Sequence, residues 1–332
     1  MFLKNDIDNA NCAIKLNKSK KYVNIMTQKI LVLGATGVLG SEILHQLSML
    51  NGIEITATTR NKATTQKFSK SKGIKLRELD VLNFLTSPNS YDINNYDVVI
   101  NAIGAIKQKN ISASEMYLIN SEFPKMIAQS CIKSKTRIIH FSTDCVFRGE
   151  INNSKTESTP HDAIDDYGKS KSLGEVSQDN FWNLRASFIG NEINTNNSLL
   201  NWFLSQKMGS VINGFANQFW NGITSFHYGM IIRKMIEYSV YPESRILHLV
   251  PENEISKYEL LKNLQYNFNR EDIIINRYTE SEEIYRQIKT DFPEQNLRLW
   301  SLIGSIRPPK IEQLITELAL EYSTRKYLDY NH

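Results

Sequence analysis

The chain has 332 residues, of which 41% are hydrophobic and 22% are charged, a composition typical of globular proteins rather than of disordered ones. Its net charge of +4 comes from lysines and arginines spread along the whole length, so no concentrated basic face indicates a nucleic-acid partner. No apolar run approaches the roughly 18 residues that a membrane span needs, and we expect no association with a membrane.

The three cysteines and the N-terminal composition give two further expectations. Cys12, Cys131 and Cys145 are few, odd in number and not at the spacing of metal ligands, which predicts reduced thiols, no metal site and a cytoplasmic protein. Residues 1–27 are rich in Asn and Lys and have no apolar core of a signal peptide, so they predict a loosely ordered extension.

The first predicted elements are a strand, a glycine turn and a helix. A short apolar run, residues 29–33, is followed by the pattern G-x-x-G-x-x-G at residues 34–40 and then by a helical pattern. Glycines in such a turn let the backbone come close to a pyrophosphate, which binds at the helix N-terminus. The pattern predicts a dinucleotide site whose contacts are Gly34, Thr36, Gly37, Val38, Leu39 and Gly40.

The end of the second predicted strand indicates which dinucleotide binds. Residues 53–58 form this strand, and Arg60 and Lys62 follow it with no acidic residue among them. An acid there would bond the ribose 2′-hydroxyl of NAD, whereas an arginine accepts the 2′-phosphate of NADP. We therefore expect NADPH to be preferred over NADH, with Arg60 as the main contact and Lys62 as a weaker one. The alternative is that Arg60 is only a solvated loop residue.

Two further strands are predicted at residues 73–80 and 96–104. The first leads to Asp80 and Val81, where the adenine edge of the cofactor would lie. The second is apolar through its middle, as a parallel strand buried on both faces should be. It ends in small residues that leave room for the cofactor, and the expected contacts are Ala102, Ile103 and Gly104. A helix is predicted over residues 114–133, with Asn120 inside it.

A fifth predicted strand, residues 136–142, runs into a loop that begins with Thr143, and a helix after this loop contains Tyr167 and Lys171. Because these two positions are four residues apart on a helix, the phenol and the ammonium project from one face. A nearby ammonium favours the phenolate and moves the Tyr pKa towards a range useful for proton transfer. The same spacing also occurs by chance on amphipathic helices, so the motif is informative only with its neighbours.

Strands alternating with helices through residue 185 predict an α/β fold, a Rossmann-like doubly wound parallel sheet with its ligands at the carboxyl ends of the strands. We assign residues 28–190 and about 223–250 to the NADP-binding domain. A smaller mixed substrate-binding domain takes about 191–222 and 251–325. Within it, aromatics, amides and glycines without clean periodicity at residues 214–224 predict a loop that folds over a ligand.

Several motifs in this order resemble the extended short-chain dehydrogenase/reductase superfamily and, within it, the dTDP-4-dehydrorhamnose reductase family. The resemblance covers roughly residues 28 to 320. It is based on the glycine turn at 34–40, Asn101 to Gly104, the stretch 142–149, Tyr167 to Lys171 with Gly174 and Glu175, and residues 184–187.

This resemblance implies the reduction by NAD(P)H of the 4-keto group of a nucleotide-activated deoxysugar, in deoxysugar or surface polysaccharide biosynthesis. It makes Tyr167 the proton donor and Lys171 the residue that positions the nicotinamide ribose and lowers the Tyr pKa. Thr143 would bond the substrate oxygen, and Asn120 would support Lys171 through water. A homodimer is the oligomeric state that the resemblance implies.

The residues expected to contact the sugar nucleotide are Thr143, Asp144, Cys145, Trp220, Asn221, Thr224 and Arg298, the last at the diphosphate. Two of these stretches depart from the family. Cys145 replaces the usual Tyr, and the usual substrate-loop pattern ending in Pro-Thr is replaced by residues 220–224, so the identity of the sugar stays open.

Two alternatives also stay open. In one, Cys145 serves as an acid/base in a combined epimerase and reductase, because the related GDP-fucose synthases are similar in having a cysteine there. No histidine near Gly190 matches their second epimerisation residue. In the other, the chain is a catalytically silent NADP-binding subunit, similar to the regulatory subunit of methionine adenosyltransferase.

Overall fold

The structure is a computed structural model that describes residues 27–60, 73–106, 111–149, 155–193 and 196–330. The predicted extension, apart from Thr27, lies outside the described residues, as do Cys12 and Lys62. No helix among the described residues is long and apolar enough to cross a membrane.

The largest element is a seven-stranded sheet in which every neighbouring pair of strands is parallel. Its strands are β1 (Gln28–Leu33), β2 (Ile53–Thr59), β3 (Ile74–Glu78), β4 (Val98–Asn101), β5 (Arg137–Ser142), β6 (Phe181–Arg185) and β11 (Ile246–His248). They lie in the order β3-β2-β1-β4-β5-β6-β11. The strand order reverses between β1 and β4, and a crevice for ligands opens at such a switch point. The predicted α/β fold class is confirmed.

Ten helices connect the strands in the described part of the chain. They are α1 (Val38–Leu47), α2 (Val81–Thr86), α3 (Ala113–Tyr117), α4 (Phe123–Ser130), α5 (Asp166–Leu173), α6 (Leu199–Leu204), α7 (Ser225–Tyr238), α8 (Lys257–Asn267), α9 (Pro293–Ser301) and α10 (Ile311–Tyr330). The helix predicted over residues 114–133 is interrupted by a π-turn, Leu118–Glu122, that separates α3 from α4. Such turns are frequent at functional sites.

The central sheet is covered on both faces, which explains why its strands are nearly continuous apolar runs. On one face, Ile43 of α1 and Ile232 of α7 belong to the same buried cluster as Val32 of β1. On the other face, Phe123 of α4 lies in a cluster with Val99 of β4. The predicted catalytic residues are therefore supported by a rigid, close-packed layer.

Three small sheets form the rest of the fold. β7 (Phe188–Ile189) pairs with β10 (Ile223–Thr224), β8 (Val211–Phe215) pairs with β13 (Ile274–Tyr278), and β9 (Gln218–Trp220) lies between β12 (Ile255–Ser256) and β14 (Ile284–Arg286). The prediction of a loop over residues 214–224 was therefore wrong, since most of this stretch is strand. Strands of two or three residues are too short to show the alternation by which strands are recognised.

The glycine turn has the close backbone approach that its spacing predicted. Gly34 has a φ of +79°, in the left-handed region, and a Cβ on Gly40 would lie 2.1 Å from the Gly34 carbonyl oxygen. A Cβ on Gly37 would lie 3.6 Å from the same oxygen, an ordinary contact. Gly40 is thus required by the packing of α1 against the turn, whereas Gly37 is not.

We expect Gly40→Ala to lower the free energy of unfolding by about 1–3 kcal/mol, the usual cost of forcing extra atoms into a packed site. Gly37→Ala is the matched control, because the φ of Gly37 is −79° and alanine accepts that conformation. Urea denaturation of both variants measures the difference. Equal stability of the two variants would contradict the close approach.

Candidate active site

A cleft opens at the carboxyl ends of β1, β4 and β5, and the predicted cofactor and catalytic residues meet there. Among the predicted residues, those that line it are Gly37, Val38, Leu39, Ala102, Ile103, Gly104, Thr143, Asp144, Cys145, Tyr167 and Lys171. The cleft continues to residues 186–190 and to the start of α6 at Leu199. Residues far apart in the sequence therefore share one cavity at the switch point of the sheet.

The glycine-turn end of the cleft suits a pyrophosphate. The side chain of Thr58, on β2, accepts a hydrogen bond from the Gly34 N–H at 3.1 Å and fixes the turn. α1 begins after Gly37, which has no side chain to cap the first N–H groups of the helix. Uncapped N–H groups and the helix dipole together favour an anion. The backbone at this end thus fits the phosphates of a dinucleotide.

Two buried amides shape the small-residue turn after β4. The side-chain oxygen of Asn101 accepts from the Ile103 N–H at 3.2 Å. Asn120, in the π-turn, accepts from the Ala105 N–H at 2.8 Å and donates to the Ala105 carbonyl at 3.0 Å. These bonds hold the backbone of residues 102–105 along the cleft wall, where the sequence predicted a passage for the cofactor.

Helix α5 approaches the turn after β5 closely because of one glycine. Asp165 caps the helix by accepting from the Gly168 N–H at 2.9 Å. A Cβ on Gly168 would lie only 2.2 Å from the Cys145 carbonyl oxygen, so no other residue allows this contact without movement. Gly168 is therefore a steric requirement that the Tyr167–Lys171 spacing alone did not reveal. It brings Tyr167 next to Thr143.

Lys171 is buried, with its side chain aimed at the end of β5. Its exposed fraction is 5%, and its Nζ donates to the Phe141 carbonyl at 2.6 Å. Burial lowers its pKa to about 8, although Glu175 acts in the opposite direction. Asn120 donates to the Ser170 hydroxyl at 3.0 Å, so it holds the helix at the residue before Lys171.

The Tyr167 phenol is a protonated group in this structure. Burial raises its pKa above the ordinary value, and the neighbouring Cys145 adds to that shift, whereas the hydrogen bond with Thr143 opposes it. The expectation that Lys171 sets a lowered Tyr pKa was wrong, because the cost of burying the phenolate dominates. At neutral pH Tyr167 is therefore present as the neutral phenol, the form that carries a proton.

The turn after β5 joins a hydroxyl, an acid and a thiol. The Thr143 hydroxyl donates to Asp144 at 2.9 Å and accepts from the Cys145 N–H at 3.2 Å. Burial raises the pKa of Asp144, with Arg286 opposing. Burial, and next the Asp144 carboxyl, raise the pKa of the Cys145 thiol to about 12. The thiol is therefore un-ionised at neutral pH.

Three residues of the predicted substrate set have protein partners of their own. The Trp220 indole N–H donates to the Ser187 hydroxyl at 2.7 Å. Asn221 exchanges hydrogen bonds of 2.7 and 3.1 Å with the backbone of Ile288. Thr224 caps α7 and lies 2.6 Å from the His227 ring nitrogen. Trp220 ends β9, Thr224 ends β10, and Asn221 lies between the two strands. None of the three lines the cleft.

Other predicted contacts also lie outside the lining of the cleft. Asp80 caps α2, and Val81 is buried in the core. Arg60 is exposed directly after β2, and Arg298 lies on the exposed side of α9. No structural finding tests their assignment to cofactor or substrate, so these assignments stay predictions.

A buried ionic pair behind the catalytic residues was not given a role by the sequence. Glu175 accepts from the Ser142 hydroxyl at 2.5 Å and from two nitrogens of Arg185 at 2.6 Å each. Arg185 also lies 2.6 Å from a ring nitrogen of His161 and 3.0 Å from one of His248. The sequence does contain a signal for this pair. Arg185 ends a buried strand, and a charged side chain is buried in such a place only when it has a partner of opposite charge.

Comparison with known proteins gives the family. The family described as "RmlD substrate binding domain" matches residues 28–295. Spore coat polysaccharide biosynthesis protein SpsK of Bacillus subtilis is 30% identical over 149 residues, 44% of this chain and 47% of that protein. dTDP-4-dehydrorhamnose reductase of Aggregatibacter actinomycetemcomitans is also 30% identical over 149 residues, 44% of this chain and 45% of that protein. The chain spans about half the length of these curated relatives.

Solved structures share the fold. The dTDP-4-dehydrorhamnose reductase of Bacillus anthracis in complex with NADP has a TM-score of 0.66 over 89% of this chain and 100% of that one, at 18% identity. The family match covers more than half of the chain, and the seven-stranded sheet and the Tyr167–Lys171 helix agree with it. The chain therefore belongs to the RmlD substrate binding domain family, in the extended short-chain dehydrogenase/reductase superfamily.

Proposed function

We propose that this protein is an NADPH-dependent reductase of the 4-keto group of a nucleotide-activated deoxysugar, in deoxysugar or surface polysaccharide biosynthesis. One observation supports this most directly. Thr143, Tyr167 and Lys171 line the same cleft as the first turn of α1, so a carbonyl and a dinucleotide can bind side by side. Relatives named as dTDP-4-dehydrorhamnose reductases support the same reaction class.

The cofactor fits the residues present. The fixed glycine turn and the uncapped N-terminus of α1 accept a pyrophosphate, and the strand end at Thr58, Thr59 and Arg60 has no carboxylate to repel a 2′-phosphate. NADPH, when bound, supplies the hydride. Arg60 is the residue that we assign to the 2′-phosphate.

Side chains of this protein then stabilise the negative charge that reduction produces on the substrate. Negative charge develops on the carbonyl oxygen as the hydride arrives, and a positioned proton donor lowers the barrier. Tyr167, protonated because of its burial, donates its proton to that oxygen. Thr143 is held by Asp144 and Cys145 within reach of Tyr167, and its hydroxyl orients the same oxygen.

Lys171 lies one helical turn after Tyr167 on α5. Its ammonium is fixed by the Phe141 carbonyl and is assigned to the ribose hydroxyls next to the nicotinamide. With a pKa of about 8, it is mostly protonated at neutral pH.

The combined epimerase and reductase receives no support from the geometry. Epimerisation needs a base that removes a proton from carbon, and burial keeps the Cys145 thiol protonated. A silent binding subunit is likewise not favoured, because the three catalytic side chains are present and brought together. The homodimer stays a prediction.

Tyr167→Phe is expected to lower kcat by about 10²- to 10⁴-fold, the usual contribution of a general acid, while NADPH still binds. The measurement is NADPH oxidation over a panel of 4-keto sugar nucleotides, with fluorescence titration of NADPH alongside. Tyr117→Phe is the matched control, since the Tyr117 hydroxyl bonds Asp166 outside the cleft lining. A wild-type protein that reduces no member of the panel would refute the proposal.

Arg60→Ala should weaken NADPH binding by about 10- to 100-fold and leave NADH binding unchanged, because a hydrogen bond to a charged group contributes roughly 1.5–3 kcal/mol. Lys75→Ala serves as the control, since Lys75 is an exposed cation on β3 paired with Glu54. Titrations at equal ionic strength compare the variants. Equal losses for NADPH and NADH would remove Arg60 from the 2′-phosphate site.

NADPH binding should also weaken as the pH rises through about 8. Below that pH the Lys171 ammonium predominates, and above it the neutral amine does. A charge-assisted hydrogen bond is stronger than a neutral one by about 1 kcal/mol, so we expect a five- to tenfold rise in Kd between pH 7 and pH 9.5. Lys171→Met should bind weakly and lack this transition. Identical pH profiles for the two proteins would contradict the assignment.

A further inference from the structure

Two cations from the C-terminal part of the chain lie beside the turn after β5, residues 143–147, named the catalytic turn below. Lys257 is the first residue of α8, and Arg286 is the last residue of β14. The Arg286 guanidinium donates to the Phe147 carbonyl at 2.8 Å, and the Lys257 Nζ donates to the Gln218 side-chain oxygen at 2.6 Å. Both cations are half-buried, and although neither lines the cleft, they are held beside the turn after β5 rather than free in solvent.

The strand register shows which way Arg286 points. Arg286 pairs with Trp220 and Tyr285 with Phe219, and the Phe219 and Tyr285 rings stack at 4.8 Å on one face of this small sheet. Because side chains alternate along a strand, Arg286 lies on the opposite face. That face meets the segment after the catalytic turn, since a Cβ on Gly149 would lie 3.3 Å from the Arg286 Nε.

The charges around this pair do not balance. Within the described residues, neither Lys257 nor Arg286 forms a salt bridge with a carboxylate, and both donate to neutral oxygens. Asp144 interacts electrostatically with both cations, and its carboxyl oxygen already accepts a hydrogen bond from the Thr143 hydroxyl. Burial favours its protonated form. Two half-buried cations beside a single carboxyl leave an excess of positive charge next to this turn.

The position of Lys257 is unfavourable for stability alone. A cation at the first residue of a helix opposes the helix dipole. Burial lowers the Lys257 pKa, and the nearby Arg286 lowers it further. The Glu259 carboxylate in the same turn is occupied by the cap at Ser256. An anion between the two cations would remove the repulsion and satisfy the dipole.

We propose that Lys257 and Arg286 bind an anionic group of the sugar nucleotide, either its diphosphate or a carboxylate on its sugar. This assignment rests on the proposed function, because it takes the substrate to be a sugar nucleotide that reaches Thr143 and Tyr167. It differs from the expected contact at Arg298, which lies on the exposed side of α9. The two cations lie next to the residues that hold the reacting oxygen.

The test is calorimetric titration of the NADP⁺-loaded protein with UDP-glucose, UDP-glucuronate and inorganic pyrophosphate. Lys257→Gln and Arg286→Gln each remove one charge and retain an amide donor. Each is expected to weaken binding of the ligand whose anionic group it contacts by about tenfold or more, because one hydrogen bond to a charged group is lost. Lys125→Gln is the control, because Lys125 is an exposed cation on α4 paired with Glu122, and it should bind all three ligands as the wild type does.

The two sources of the anion give different patterns. If the diphosphate binds here, both UDP-sugars lose affinity equally in the two variants, and pyrophosphate competes with them in the wild type. If a sugar carboxylate binds here, UDP-glucuronate binds more tightly than UDP-glucose, and the variants remove only that difference. NADP⁺ affinity measured in each variant shows that the fold is intact.

Failure of this proposal can be separated from failure of the proposed function. If the wild type binds none of the three ligands, or if the variants bind as the wild type does, the anion site is refuted. If the wild type reduces no 4-keto sugar nucleotide but binds these ligands through Lys257 and Arg286, the anion site remains and the reductase proposal fails.

Discussion

The structure of the site depends on one buried ion pair, between Glu175 and Arg185. Glu175 follows the C-terminus of α5, Arg185 ends β6, and the same carboxylate accepts from Ser142 at the end of β5. These three elements carry or adjoin Thr143, Tyr167 and Lys171, the side chains to which we assign catalysis. Removing one partner of a buried pair costs roughly 3–5 kcal/mol, so the pair fixes their relative positions strongly. Thr143, next to Ser142, is therefore placed by a charge that lies outside the cleft.

Arg185 also connects this pair to the C-terminal part of the chain, through its contact with the His248 ring. Burial lowers the pKa of His248 to about 4, so this histidine is neutral at ordinary pH, and it lies 2.6 Å from the Lys289 carbonyl. Glu157 accepts from the His248 N–H at 2.6 Å and from the Thr290 hydroxyl at 2.7 Å. The segment just after Arg286 is thus tied to the central sheet by polar contacts. The predicted catalytic residues and the segment that follows Arg286 are consequently joined by one continuous polar network.

The sequence predicted most of what depends on local pattern. The parallel strands, the glycine turn and the i, i+4 relation of Tyr167 and Lys171 follow from apolar runs and residue spacing, and they agree with the structure within a few residues. The stretch 214–224 was misread because its strands are too short for a period to show. The pKa of Tyr167 was misjudged because burial depends on what packs around the ring, and spacing carries no information on that.

Burial also decides which chemistry the catalytic turn can perform. Burial raises the pKa of the Cys145 thiol to about 12, so the thiol keeps its proton at neutral pH and is not a ready base. Burial also raises the pKa of Tyr167. A neutral phenol can donate a hydrogen bond to an oxygen that gains negative charge, as hydride transfer to a carbonyl requires. A thiol that keeps its proton is poorly suited to removing a proton from carbon. Burial of Cys145 therefore argues against its use as the base of an epimerisation, even though it occupies the position that suggested this role.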